Sequence, residues 1–187
     1  MGLDMYVYQA KKPVGLKTGV IYNYDELRDK GLAMFEADDV ENEKWFADLM
    51  PFCVKVRCEA QYYDIATIAE KFDLGERAHW CGFGPEGIYF RGEKREITIS
   101  DEEVEQYCIT KEKDWYAVHT KEVAYWRKHY ELQTELYNAY ELKDKFVENC
   151  GYYVIDDEIL EIINDMSETK FGLGRYKKGT LLYHEWY

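Results

Sequence analysis

The chain has 187 residues, 47% apolar and 17% aromatic, which suits one folded core and excludes a chain too polar to collapse. Its 37 acidic and 24 basic residues leave a formal net charge of −13, a field that repels nucleic acid and anionic membrane and argues against direct binding to either. No stretch approaches the ~20 apolar residues of a membrane span. The start Met1-Gly2-Leu3-Asp4-Met5-Tyr6 has no basic or apolar signal region, and five cysteines (Cys53, Cys58, Cys81, Cys108, Cys150) include no Cys-x-x-Cys pair. A reduced, cytoplasmic protein without disulfides is expected.

Residues 3–8 alternate Leu3, Met5 and Val7 against Asp4, Tyr6 and Tyr8, the period of a strand with one apolar face. Asn23-Tyr24-Asp25-Glu26 has the form of a capping box and starts a short helix that ends near Gly31. The acidic run 36–43 lacks a period and reads as a loop. Alternation returns at 52–59, a second strand, and Asp64 caps a helix whose Ile65, Ile68, Ala69 and Phe72 recur at helical spacing before Gly75. Glycines at 82, 84, 87 and 92 among aromatic and β-branched residues predict one or two hairpins over 79–99. They do not form a nucleotide loop, because no Gly-Lys-Ser/Thr follows.

Ser100-Asp101-Glu102-Glu103 is a second capping box, with Val104, Tyr107 and Cys108 along one helical face. The segment 121–148 contains neither Pro nor Gly and is followed by Gly151, so its spacing predicts one long helix. A short strand at 152–155, a helix capped by Asp156 or Asp157, and a C-terminal β-hairpin of 171–176 and 180–187 complete the chain. The expected fold is a single α+β domain over 1–187: a mixed or antiparallel sheet packed on one long central helix, about 121–148, with a C-terminal β-hairpin.

His79-x-Cys81 is the closest pair of metal-ligand residues, and without a second pair it reads as structural. His129 precedes Glu131 by two positions, which point to different helix faces, and no Ser-His-Asp order or Gly-x-Ser-x-Gly elbow is present. Neither a catalytic group, a metal nor a cofactor is nominated. Carboxylates cluster instead. Asp101, Glu102, Glu103 and Glu105 open one helix, and Asp157, Glu158 and Glu161 open another, where carboxylates also suit the helix dipole. Carboxylates repeating at helical spacing, together with 18 tyrosines, present a surface fit for a basic protein.

The start Met1-Gly2-Leu3-Asp4-Met5-Tyr6-Val7-Tyr8, the segment Glu122-Val123-Ala124-Tyr125-Trp126-Arg127-Lys128, the segment Asn149-Cys150-Gly151-Tyr152-Tyr153-Val154 and the ending Leu182-Tyr183-His184-Glu185-Trp186-Tyr187 carry a resemblance. Together they resemble a family of small phage and prophage proteins of unassigned function. That family has an Asn, a His and an aromatic pair after its Tyr-Trp-Arg-Lys segment, where this chain has His129-Tyr130-Glu131-Leu132. The resemblance implies a phage or mobile-element origin. With the acidic surface, it points to an inhibitor of a basic host protein such as a nucleic-acid-binding effector, an anti-CRISPR-like or other anti-defence mimic of nucleic acid. The alternatives are a small enzyme acting on nucleotides or nucleic acid, and a phage accessory or structural protein.

Overall fold

A computed structural model describes residues 2–143, 145, 147, 151–167 and 179–186. They divide into two compact units, a larger one drawn from 1–58 and 113–187 and a smaller one of 59–112. In chain order the elements are β1 (Asp4–Lys11), β2 (Ile21–Asn23), α1 (Tyr24–Asp29), β3 (Leu32–Glu36), α2 (Ala37–Val40), β4 (Val54–Tyr63) and α3 (Ile65–Lys71). There follow β5 (His79–Gly84), β6 (Gly87–Arg91), β7 (Glu96–Ile99), α4 (Asp101–Val104), β8 (Cys108–Arg127), α5 (Tyr130–Glu141), β9 (Tyr152–Val154), α6 (Asp157–Met166) and β10 (Leu181–Trp186). The chain leaves the larger unit within β4 and returns within β8.

Among the described residues the main sheet runs β2-β4-β8-β1-β10-β9, with β3 also paired to β8. β1 is antiparallel to both β8 and β10, with Tyr6 opposite Tyr125 on one side and His184 on the other. Alternation along β1 sends Met5 and Val7 into a core with Leu132, Leu136 and Tyr140 of α5 and Ile159 and Ile163 of α6. On the larger unit's other core, Ala33, Phe35, Phe46, Leu49, Val118 and Leu182 pack together. β10 also buries a carboxylate. Glu185 is completely inaccessible and accepts hydrogen bonds from the Tyr137 hydroxyl, the Tyr183 hydroxyl at 2.8 Å and Gln133 Nε2 at 3.1 Å, which ties β10 to α5.

The expected long central helix over 121–148 is absent. Strand, at 41%, exceeds helix, at 31%, and no described helix is longer than the 12 residues of α5. Residues 121–127 are the end of the 20-residue β8, where Asp4–Arg127 and Met5–Trp126 are paired neighbours. The physical reason lies in a register shift: Val7 pairs with Ala124 but Tyr8 with Glu122, so β8 bulges at Val123 and the period of two breaks within the segment, which lets Ala124 join one core and Val118 the other. The strand stops at Lys128, which has φ 58°, and His129 then caps α5 by accepting the Leu132 N–H at Nδ1 (3.3 Å). Histidine is a rare N-cap, so the boundary carries no ordinary signal. The first arm of the expected C-terminal hairpin, 171–176, lies outside the described residues. Its second arm forms β10, which pairs with β1 and β9. The acidic segment expected to be loop contains the single turn α2. The helix expected from Ser100 toward Cys108 is only the turn α4 and a 3-10 turn before β8.

Other local expectations match the structure. Asn23 accepts the Glu26 N–H at 3.1 Å, Asp64 the Thr67 N–H at 3.2 Å, and Asp156 the Ile159 N–H at 3.0 Å. In the smaller unit, β5, β6 and β7 form a three-stranded antiparallel sheet over a core of Ile68, Leu74, Ile88, Phe90, Ile99, Val104 and Tyr107. A Cβ at Gly87 would collide with the Ile99 carbonyl, and its φ of +131° also requires glycine.

Two stability outcomes follow. Glu185→Ala strands the buried Tyr183 hydroxyl and removes an acceptor of the half-buried Tyr137 and Gln133, so urea unfolding should show a loss of about 2 kcal/mol or more. The Tyr107 hydroxyl is buried without a hydrogen-bond partner among the described residues. Tyr107→Phe should therefore leave stability unchanged or raise it by up to about 1 kcal/mol, and a loss of that size would show that the hydroxyl is satisfied.

Candidate binding surface

The capping box at Ser100 builds one acidic cluster. Ser100 Oγ accepts the Glu103 N–H at 3.4 Å and donates to Glu103 Oε2 at 2.9 Å, while Val104 is driven into the core of the smaller unit. Anchored there, the turn leaves Asp101, Glu102, Glu103 and Glu105 exposed. The second cluster is on α6, where Ile159, Leu160 and Ile163 are buried and Asp157, Glu158 and Glu161 are exposed. Glu158 already holds Lys143 at 2.6 Å. The structure therefore exposes all seven carboxylates named from the sequence and places the two clusters in different compact units.

The smaller unit has the greater charge imbalance. It holds thirteen acidic and six basic residues, so more than half of the chain's negative surplus falls in less than a third of its length. Each cation has an intramolecular contact. Arg77 pairs with Glu93 at 3.1 Å, Arg91 with Glu96 at 2.7 Å, and Lys94 with Asp73. Arg95 donates to the Phe72 carbonyl at 2.7 Å, Lys71 lies over the Tyr107 ring and Lys111 over the Tyr62 ring. None of Asp101, Glu102, Glu103 and Glu105 has an ion-pair partner among the described residues.

Beside this turn is an aromatic groove of about 380 Å³, lined by Gln61, Tyr62 and Tyr63 of β4, Ile65 of α3, Trp80 of β5 and Cys108 of β8. The Tyr63 and Trp80 ring centroids are 6.0 Å apart, and Phe83 meets Trp80 edge-on at 5.4 Å. Trp80 is 45% exposed and Phe83 71%, on a strand without a charged residue. Burial raises the Tyr63 hydroxyl above its ordinary value, and the nearby Cys108 and Asp101 raise it further. The acidic turn and the groove thus share Tyr63.

Two of the histidines have structural placements. His129 donates from Nε2 to the Met166 carbonyl at 3.1 Å while its Nδ1 caps α5. His184 donates from Nδ1 to the Gly151 carbonyl at 2.9 Å and stacks on Tyr152 at 4.4 Å, within an array that also contains Tyr6 and Tyr8. A bulge between Trp80 and Gly82 breaks the alternation that would set His79 and Cys81 on one face. Among the described residues no group of three or more His, Cys, Asp or Glu is arranged to hold a metal. Sequence reasoning missed the groove, because its residues come from four elements. It also missed Glu185, which lies in the second arm of the expected C-terminal hairpin with no signal of its burial. Comparison with protein-family models, curated proteins and solved structures gives no match.

Burial holds His184 below the ordinary imidazole value of 6.5, against smaller opposing effects of the Gly151 carbonyl and Glu185. The unfolded chain therefore takes up this proton first as pH falls. The neutral ring's contribution is complete above about pH 6.5 and is lost as pH drops toward the lower native value. Urea midpoints measured between about pH 7.5 and about pH 5 should fall less for His184→Phe than for the parent. Equal slopes would mean that His184 titrates alike in the folded and unfolded states.

Proposed function

We propose that this protein binds a basic partner through the acidic surface of its smaller unit, and that the partner is a nucleic-acid-handling protein of the host whose phosphate-binding surface it occupies. The observation that carries this reading is the uncompensated state of Asp101, Glu102, Glu103 and Glu105, in a unit whose six cations all have intramolecular contacts. Carboxylates held on a short rigid turn present negative charge at close spacing, as a phosphate backbone does, and steer a basic partner into contact. The resemblance to small phage and prophage proteins supports the inhibitory role. The engagement of His129 and His184 by backbone carbonyls supports binding over an enzymatic role.

The test is charge reversal. One variant carries Lys at Asp101, Glu102, Glu103 and Glu105, and another carries Lys at Asp157, Glu158 and Glu161. A partner recovered from host lysate at low salt is then titrated against each by surface plasmon resonance. The α4 variant should associate at least about tenfold more slowly and lose most of its salt dependence. The α6 variant should change less, because Glu158 is already paired with Lys143. Both should remain folded, since each surface substitution costs within about 0.5 kcal/mol. A folded α4 variant with unchanged association and inhibition would refute the proposal.

A further inference from the structure

The groove of the smaller unit is the apolar counterpart of the acidic turn, and its chemistry specifies what the partner inserts there. Its walls are the faces of Tyr62, Tyr63 and Trp80, and Phe83 extends the apolar surface along β5. Exposed tryptophan and phenylalanine side by side carry a large desolvation gain for whatever covers them. Aromatic faces attract cations through their quadrupole, and tryptophan does so most strongly. Asp101 contributes negative charge at Tyr63, and β5 carries no Asp, Glu, Lys or Arg. An occupant that satisfies both features is planar, weakly hydrated and positively charged.

We infer that the groove receives an arginine side chain from an extended segment of the basic partner, its guanidinium stacked on the half-exposed Trp80 ring beside the tilted Tyr63 ring and its charge facing Asp101. This rests on the acidic-surface reading above and names the contact that would give that surface its specificity. Lysine fits less well, because its ammonium is compact, strongly hydrated and unable to stack. A nucleotide base would stack on the same rings. Its phosphates would then meet the unpaired carboxylates of α4, and among the described residues the unit's cation contacts bring a single cation, Lys111 over Tyr62, to a groove ring. Phe83, adjacent to Trp80 along the open rim, covers an apolar residue next to that arginine. Aromatic anchors of this kind, surrounded by polar contacts, are where binding energy concentrates in protein interfaces.

The probe is a fluorescein-labelled, amidated peptide Arg-Leu-Arg-Leu-Arg, with the lysine peptide Lys-Leu-Lys-Leu-Lys of equal charge as its control. Affinity is read by anisotropy at low salt, and contact sites by the indole and amide resonances of the full-length protein. The arginine peptide should bind several-fold more tightly than the lysine peptide and shift the Trp80 indole resonance. Trp80→Leu leaves the net charge unchanged and replaces a half-exposed ring, so it should fold and weaken the arginine peptide about tenfold. Its effect on the lysine peptide should be small. Equal affinity of the two peptides, or an unshifted Trp80 indole, overturns the inference. If Trp80→Leu binds as the parent does while the α4 reversal abolishes binding, the groove is refuted and the acidic-surface reading stands. If neither peptide binds, both fall.

Discussion

β1 lies between β8 and β10, and much of the larger unit follows from the requirement that a strand paired on both edges have both faces accounted for. Its backbone hydrogen bonds are supplied laterally, with Val7 opposite Ala124 on one side and Tyr183 on the other. Its side chains then alternate between two environments. Met5 and Val7 need apolar cover and receive it from α5 and α6, whereas Tyr6 and Tyr8 join rings of Tyr125, Tyr152 and His184. Glu185 sits at the same junction. Burying a carboxylate there is tolerable because α5 supplies Gln133 and Tyr137 and β10 itself supplies Tyr183.

The smaller unit solves a different problem, that of folding with a large negative surplus. Its cations are positioned to relieve repulsion near its own core: Lys71 over Tyr107, and Arg95 on the Phe72 carbonyl. Exposed pairs such as Arg91–Glu96 add little individually to stability. They do remove positive charge from the set available to outside molecules. Asp101, Glu102, Glu103 and Glu105 are among the carboxylates left without an ion pair among the described residues, and Asp101 lies near Tyr63 of the groove.

The caps were the most legible part of the sequence. Asn23, Asp64, Ser100 and Asp156 each accept a backbone N–H three residues on, a local interaction that needs no knowledge of the rest of the chain. The hairpins over 79–99 were legible for the same reason, since glycine marks the turns directly. Within the segment 121–148, α5 follows the expected helical period, but the strand over 121–127 was not legible. Freedom from Pro and Gly is as compatible with a long strand as with a helix, and the bulge in β8 at Val123 interrupts the alternation that would have marked a strand. The exposed carboxylates of α4 and α6 could be named from the sequence because the first turn of a capped helix puts such residues outward.

By itself, then, the sequence determined the composition of the surface, its acidic surplus, and where short helices begin, because these depend on residues within a few positions of one another. Tertiary structure alone decided that Val123 to Arg127 are strand, that Glu185 is enclosed by donors from α5 and β10, and that Tyr63, Trp80 and Cys108 line one groove beside Asp101. The physical reason is range. Capping and charge act through neighbouring residues, whereas strand pairing, carboxylate burial and groove formation depend on contacts between segments tens of residues apart, which no local period encodes.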